Sequence, residues 1–201
     1  MKLVVLGATG RTGRLVTEQA LARGHSVAAA SEPRDSDQLT SLITGQDAVI
    51  SCLGQRSSKD GGLLQESARA VIRAMTTCGV RRYLVISQGL LYPTANPLLL
   101  LLRLLLARQV ADSTAMEREI RAAHLDWTIV RPPRLLEGGR PRGYRFNVGA
   151  MPPGKVIMER ADLAAFLLDE AEAQNHVRAI VGLASAMGPA ADDTPQRRAS
   201  R

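Results

Sequence analysis

The chain begins MKLVVLGATGRTGRLV, residues 1–16, and the reading of this stretch decides the fold. KLVVLG (2–7) is a short, apolar, β-favouring run, as expected of a strand buried on both faces. GATGRTG, Gly7 to Gly13, follows at once, and TGRLVTEQALAR (12–23) then sets Leu15, Val16, Ala20 and Leu21 on one helical stripe, with Gly24 as the stop. Each glycine has a physical task in this context. Gly7 permits a tight turn at the strand end, Gly10 removes a side chain where backbone must approach a diphosphate, and Gly13 lets helix and sheet pack closely. Free amides at the helix start, with the positive end of its dipole, suit phosphate oxygens. The spacing G-x-x-G-x-x-G differs by one residue from the commonest dinucleotide-binding form, and a glycine-rich turn without a ligand is the alternative.

Further along, β-type runs alternate with helical patterns. HSVAAAS (25–31) and DAVISCLG (47–54) read as strands, GLLQESARAVIRAMTTCGV (62–80) as a helix closed by Gly79, and RYLVIS (82–87) and DWTIVRPP (126–133) as strands. KVIM (155–158) is a short strand, DLAAFLLDEAEA (162–173) a helix and RAIVGLA (178–184) a last strand. Helices between successive strands imply an α/β, Rossmann-like, doubly wound and mostly parallel sheet with helices on both faces. Residues 1–186 are expected to form a single domain. Residues 187–201, GPAADDTPQRRASR after Met187, lack apolar periodicity and are expected to be a disordered basic tail.

Composition narrows the function classes. The net charge is +7, yet the 26 basic residues are scattered, all arginine except Lys2, Lys59 and Lys155. Aromatic residues make up only 3%, which removes the stacking platforms of single-strand binders, so no specific nucleic-acid partner is expected. Cys52 and Cys78 form no CxxC motif, and His25, His124 and His176 have no metal-ligand spacing. A strand beginning at residue 2 leaves no room for a signal peptide, and a cytoplasmic location is expected.

NPLLLLLRLLLARQ, Asn96 to Gln109, invites a membrane reading. A spanning helix needs about 20 apolar residues, and this run is shorter with Arg103 inside it, so it is not expected to cross. Asn96 and Pro97 make a helix N-cap and first-turn pair. Leucine on every face requires a cover: the domain itself or a second copy packed through helix 97–109, a substrate under a greasy lid, or a peripheral membrane contact.

GATGRTG, GQDAVISCLG (45–54), YLVISQG (83–89), DWTIVRPPRLLEGG (126–139) and VIMERADLAAFLL (156–168) together resemble the atypical short-chain dehydrogenase/reductases. The nearest branch is the NmrA-like group that includes the flavin reductase/biliverdin-IXβ reductase type. The resemblance covers residues 1 to about 184 and implies an NAD(P)H-binding protein. It implies that Gly7, Thr9, Gly10, Arg11, Thr12 and Gly13 hold the cofactor phosphates. Cys52, Leu53 and Gly54 would lie beside ribose and adenine with Arg56 close by, Ser87 near the nicotinamide, and Pro132, Pro133 and Arg134 on the side opposite. Gln88 and Arg134 are candidates for contact with the substrate, and Ser87 for catalysis.

Two departures matter. Relatives carry a further strand between the second strand and GQDAV. Here only SEPRDSDQLTSLIT (31–44) bridges the gap, so the outer strand and part of the adenine pocket are expected to be missing. Glu32, nineteen positions after Gly13, stands where NAD binders hold the ribose hydroxyl and favours NADH, whereas Arg11 and Arg34 could offer a 2′-phosphate a guanidinium fork.

The second departure is chemical. No tyrosine has lysine four residues later: Tyr83 is followed at that spacing by Ser87, Tyr92 by Asn96 and Tyr144 by Val148. Hydride transfer then suits an acceptor that stabilises the added electrons itself, such as a flavin (FMN, for example), a linear tetrapyrrole or a quinone. Arg131, Arg134, Arg140, Arg142 and Arg145 suit an anionic acceptor or a solvated loop equally, and Asp112 and Glu117 read as surface charge. Two functions stay open: a small-molecule reductase, and a non-catalytic dinucleotide-binding redox sensor acting through a protein partner.

Overall fold

The computed structural model describes residues 1–30, 33–54, 61–138, 140–154 and 157–186. The first strand, β1 (Lys2–Leu6), carries Leu3, Val4, Val5 and Leu6, all without exposed surface. It is sandwiched because successive side chains point to opposite faces and both faces are covered. Val4 and Leu6 join one apolar cluster, Leu3 and Val5 the other.

The chain continues through α1 (Arg11–Ala22), β2 (Ser26–Ala30), α2 (Ser36–Ile43), β3 (Ala48–Ser51), α3 (Leu63–Cys78) and β4 (Arg82–Ile86). Then come a 3₁₀ turn (Gly89–Leu91), α4 (Pro97–Leu105), α5 (Ala107–Ala122), β5 (Asp126–Arg131), β6 (Leu135–Leu136), β7 (Tyr144–Val148), β8 (Met158–Glu159), α6 (Arg160–Ala173) and β9 (Ala179–Ser185). Seven strands form one sheet in the order β2-β1-β3-β4-β5-β9-β7, parallel except for β7. α1 and α6 pack together on one face, and α2, α3 and α5 on the other.

The topology creates a crevice. From β1 the chain moves outward through α1 to β2, then returns through α2 on the opposite face to β3 on the other side of β1. At the carboxyl ends of β1 and β3 the two connections diverge, and ligands of doubly wound sheets bind in that opening.

The expected loss of an outer strand holds, for β2 is the sheet edge. Residues 31–44, which read as a mere bridge, contain α2, started by the Asp35 carboxylate accepting from the amides of Asp37 and Gln38, each at 3.0 Å. The segment after β5 is also more ordered than a loop. β7 runs antiparallel to β9, and β8 (Met158–Glu159) pairs with β6, while Lys155 and Val156 of the expected KVIM strand lie outside the described residues. The leucine run divides at Leu106, and Asn96 caps α4 as expected, accepting from the Leu98 amide at 2.9 Å. Residues from Met187 onward lie outside the described ones.

Candidate dinucleotide site

At the end of β1, Gly7 has φ +73°, a left-handed conformation that glycine alone adopts without strain. The Gly10 amide donates back to the Gly7 carbonyl at 2.9 Å, closing the turn, and Gly10 becomes the N-cap of α1. Having no side chain, it caps nothing, and no acidic residue occupies the first turn. The first helical bond runs from the Arg14 amide to the Gly10 carbonyl at 2.9 Å. The amides of Arg11, Thr12 and Gly13 therefore have no acceptor among the described residues.

Close packing forbids a side chain here. A Cβ on Gly13 would lie 2.1 Å from the Gly7 carbonyl oxygen, and one on Gly7 would lie 3.1 Å from the carbonyl oxygen of Cys52 at the end of β3. A Cβ on Gly10 would meet only the Gly7 oxygen, at 3.1 Å. The helix thus starts directly on the strand ends with bare donors facing outward, and these residues fit a diphosphate.

Sequence reasoning missed the wall facing this turn. Arg160, the first residue of α6, donates from Nη1 to Thr12 Oγ1 at 3.1 Å and from Nε to Glu137 Oε1 at 3.2 Å. Arg11 donates to the same Glu137 oxygen at 2.9 Å. Only 11% of the Arg160 side chain is exposed, so packing of α6 on α1 fixes its direction. Glu137 is held ionised below the usual carboxylate range, chiefly by Arg160. VIMERADLAAFLL contained Arg160 but gave no sign that it would reach residue 12.

On the β3 side, Leu53 leans over Gly7 and Gly54 is exposed. Burial pushes the half-buried Cys52 thiol up to about 12, which removes it as a nucleophile at neutral pH. Arg34 does not share a partner with Arg11, since its Nε pairs with Glu66 in the first turn of α3 at 3.1 Å. Glu32 and Arg56 lie outside the described residues. Asp112 is buried rather than a surface charge: its carboxylate accepts from the Leu64 and Gln65 amides, each at 3.1 Å, and so caps α3.

The ends of β4 and β5 are tied side by side. The Ser87 amide donates to the Val130 carbonyl at 2.7 Å and the Gly89 amide to that of Pro132 at 2.8 Å. Ser87, Gln88, Pro132 and Pro133 therefore form one ledge. The Gln88 amide group donates to Ser113 Oγ at 2.7 Å and to the Gln109 carbonyl at 3.1 Å, securing α5 to this ledge.

Ser87 Oγ donates to Glu117 Oε1 at 2.6 Å. Glu117 is also buried, contrary to its reading as surface charge, and takes a two-pronged bond from Arg131 at 2.9 and 2.6 Å. The Arg131 guanidinium lies 4.8 Å from the Tyr92 ring centroid. Of the arginine-rich segment, Arg131 is consumed in this pair and Arg145 donates to the Pro153 carbonyl at 2.6 Å, whereas Arg134, Arg140 and Arg142 are exposed. No tyrosine is placed as a proton donor. Tyr83 is buried within β4, the Tyr92 hydroxyl is sealed from solvent, and the Tyr144 hydroxyl donates to Asp169 at 2.6 Å. Among the described residues no His, Cys, Asp and Glu cluster could hold a metal ion.

The profile of a family described as NAD(P)H-binding matches residues 30–174. The glycine turn precedes that stretch, so its geometry adds independently to the match. Many solved structures share the fold. An oxidoreductase from Lactococcus lactis aligns at TM-score 0.78 and 16% identity, over 92% of this chain and 91% of its own. A protein from Streptococcus pneumoniae, provisionally named an NADH-flavin reductase, aligns at TM-score 0.77 and 22% identity, over 92% of this chain and 100% of its own. A Rossmann-fold NAD(P)-binding family protein from Shigella flexneri aligns at TM-score 0.71 and 19% identity, over 96% of this chain and 97% of its own. At these identities the likeness concerns the fold alone.

Proposed function

The chain belongs to the NAD(P)H-binding family, and from that premise we propose that it is a reductase passing hydride to a conjugated, anionic acceptor: a flavin, a linear tetrapyrrole or a quinone. One observation carries the reading. Three unpartnered amides, of Arg11, Thr12 and Gly13, open on the crevice between β1 and β3, where a side chain on Gly13 would collide with backbone.

The reduced coenzyme, when bound, supplies the hydride. The amides of residues 11–13 would hold its diphosphate, with Arg11 and Arg160 adding positive charge. Leu53 and Gly54 would line the adenosine side, and Ser87 with Pro132 and Pro133 the nicotinamide end. Ser87 has its proton committed to Glu117, so it accepts hydrogen bonds there and orients a donor. Arg134, exposed beside Pro133, would meet the acceptor's negative charge. With no tyrosine poised to protonate an oxygen, the fitting acceptors are those whose rings delocalise the added electrons and take their proton from water. Glu32 and the engagement of Arg34 with Glu66 favour NADH over NADPH.

The test follows NADH and NADPH absorbance with FMN, riboflavin and quinones, alongside coenzyme binding. Turnover that falls in Arg134→Ala supports the reductase. Tight binding without turnover of any acceptor assigns the redox-sensor role instead.

A further inference from the structure

We propose that α4 is a membrane-docking element that seats the protein on an anionic lipid surface. α4 holds no buried residue. Leu98, Leu101, Leu104 and Leu105 are 70%, 53%, 72% and 71% exposed, and Leu99, Leu100 and Leu102 are exposed as well. These leucines surround the helix instead of lining one stripe. An interfacial helix of this kind sets its exposed leucines into the headgroup/acyl boundary and keeps its remaining side toward the protein. No helix is long and apolar enough to cross a membrane among the described residues, so the contact is with one surface.

Charge selects the occupant. No Asp or Glu occurs between Glu66 and Asp112. An open groove of about 510 Å³ beside α4 is lined by four arginines, Arg103, Arg118, Arg121 and Arg131, against one carboxylate, Glu117, which Arg131 already pairs. Arg108 adjoins Leu104 and Leu105 in a second groove. A second copy packed on α4 would add its own guanidiniums to the contact and offer no Asp or Glu from its leucine-rich helix to pair them. Phosphate headgroups answer them at the depth where the leucines enter the acyl boundary. Glu117 and Arg131 line the same groove, so docking sets the Ser87 end of the crevice beside the lipid surface.

The experiment is co-sedimentation of the full chain with vesicles of phosphatidylcholine alone or mixed with phosphatidylglycerol, at low and high salt. Binding is expected to the mixed vesicles and to weaken in high salt. Leu104→Ser with Leu105→Ser is expected to weaken it by about tenfold or more, since each loses apolar area from the acyl boundary. Arg118→Ala with Arg121→Ala is expected to abolish the preference for phosphatidylglycerol. Circular dichroism and coenzyme binding report that the variants fold. Failure to sediment with either vesicle, equal binding to both, or a solution dimer lost in the leucine variant without vesicle binding would overturn the proposal.

Discussion

The Ser87 hydroxyl donates to Glu117 at 2.6 Å, although the two residues lie on different elements and Glu117 is already engaged by Arg131. A hydroxyl fixed in this way presents lone pairs outward and orients a neighbour. Ser87→Ala is therefore expected to cost about 1 kcal/mol of stability while reducing kcat more than KM in steady-state assays.

The pair behind it has a larger structural role. Glu117 and Arg131 side chains are 5% and 13% exposed. Removing one partner leaves an uncompensated buried charge, so Glu117→Ala is expected to cost about 3–5 kcal/mol in denaturant unfolding. Ser87→Ala with Glu117→Ala should lose less than the sum of the single variants, because both remove the same bond.

Gly13 and Gly10 separate packing from binding. Gly13→Ala puts a methyl group 2.1 Å from a backbone oxygen and is expected to cost about 1–3 kcal/mol together with coenzyme affinity. Gly10→Ala meets only one atom, the Gly7 oxygen at a tight 3.1 Å, with φ −75°, so it is expected to fold at a smaller cost than Gly13→Ala. A loss of coenzyme affinity in Gly10→Ala that exceeds its change in melting temperature then reports close approach of the ligand, measured by titration.

Glu137 sits between Arg11 and Arg160 beside the bare amides, where its charge opposes that of a diphosphate. Glu137→Gln is expected to tighten coenzyme binding, and Arg160→Ala to weaken it and flatten its salt dependence. Arg160 holds Glu137 ionised below the usual carboxylate range, so the wild-type affinity is expected to stay level as pH falls through that range.

Asp126 gives a stability effect remote from the site. Arg81 bonds it through Nε and Nη2 and lowers its pKa. A depressed carboxylate pKa stabilises the fold above the unfolded value and loses that contribution as pH falls through the folded value. Arg81→Ala is expected to reduce stability only slightly at neutral pH, because solvent screens the exposed pair, and to show a shallower decline in acid, followed by thermal melts.

The strand, glycine turn and helix at the N-terminus were legible because one short stretch holds both their apolar pattern and their φ requirement at Gly7. Asp112 and Glu117 were misread because the inward side of α5 is largely polar: Asp112, Ser113 and Glu117 are buried beside Met116 and Ile120. Their reasons lie elsewhere in the chain, at the α3 N-terminus and at Arg131. Arg160 reaches Thr12 across 148 positions, a contact that local periodicity does not encode. β7, YRFNV, does alternate apolar and polar residues, but it is only five residues long and lies among Gly, Pro and Arg residues that read as a loop.

The proposed site stands or falls on the backbone amides after Gly10 binding the diphosphate of a nicotinamide coenzyme. The most direct measurement is amide chemical-shift mapping of the wild-type chain titrated with NADH and with NADPH. Saturable shifts are expected, largest at Arg11, Thr12 and Gly13. Saturation with either coenzyme while those three amides stay unmoved, or no binding of either, would contradict it.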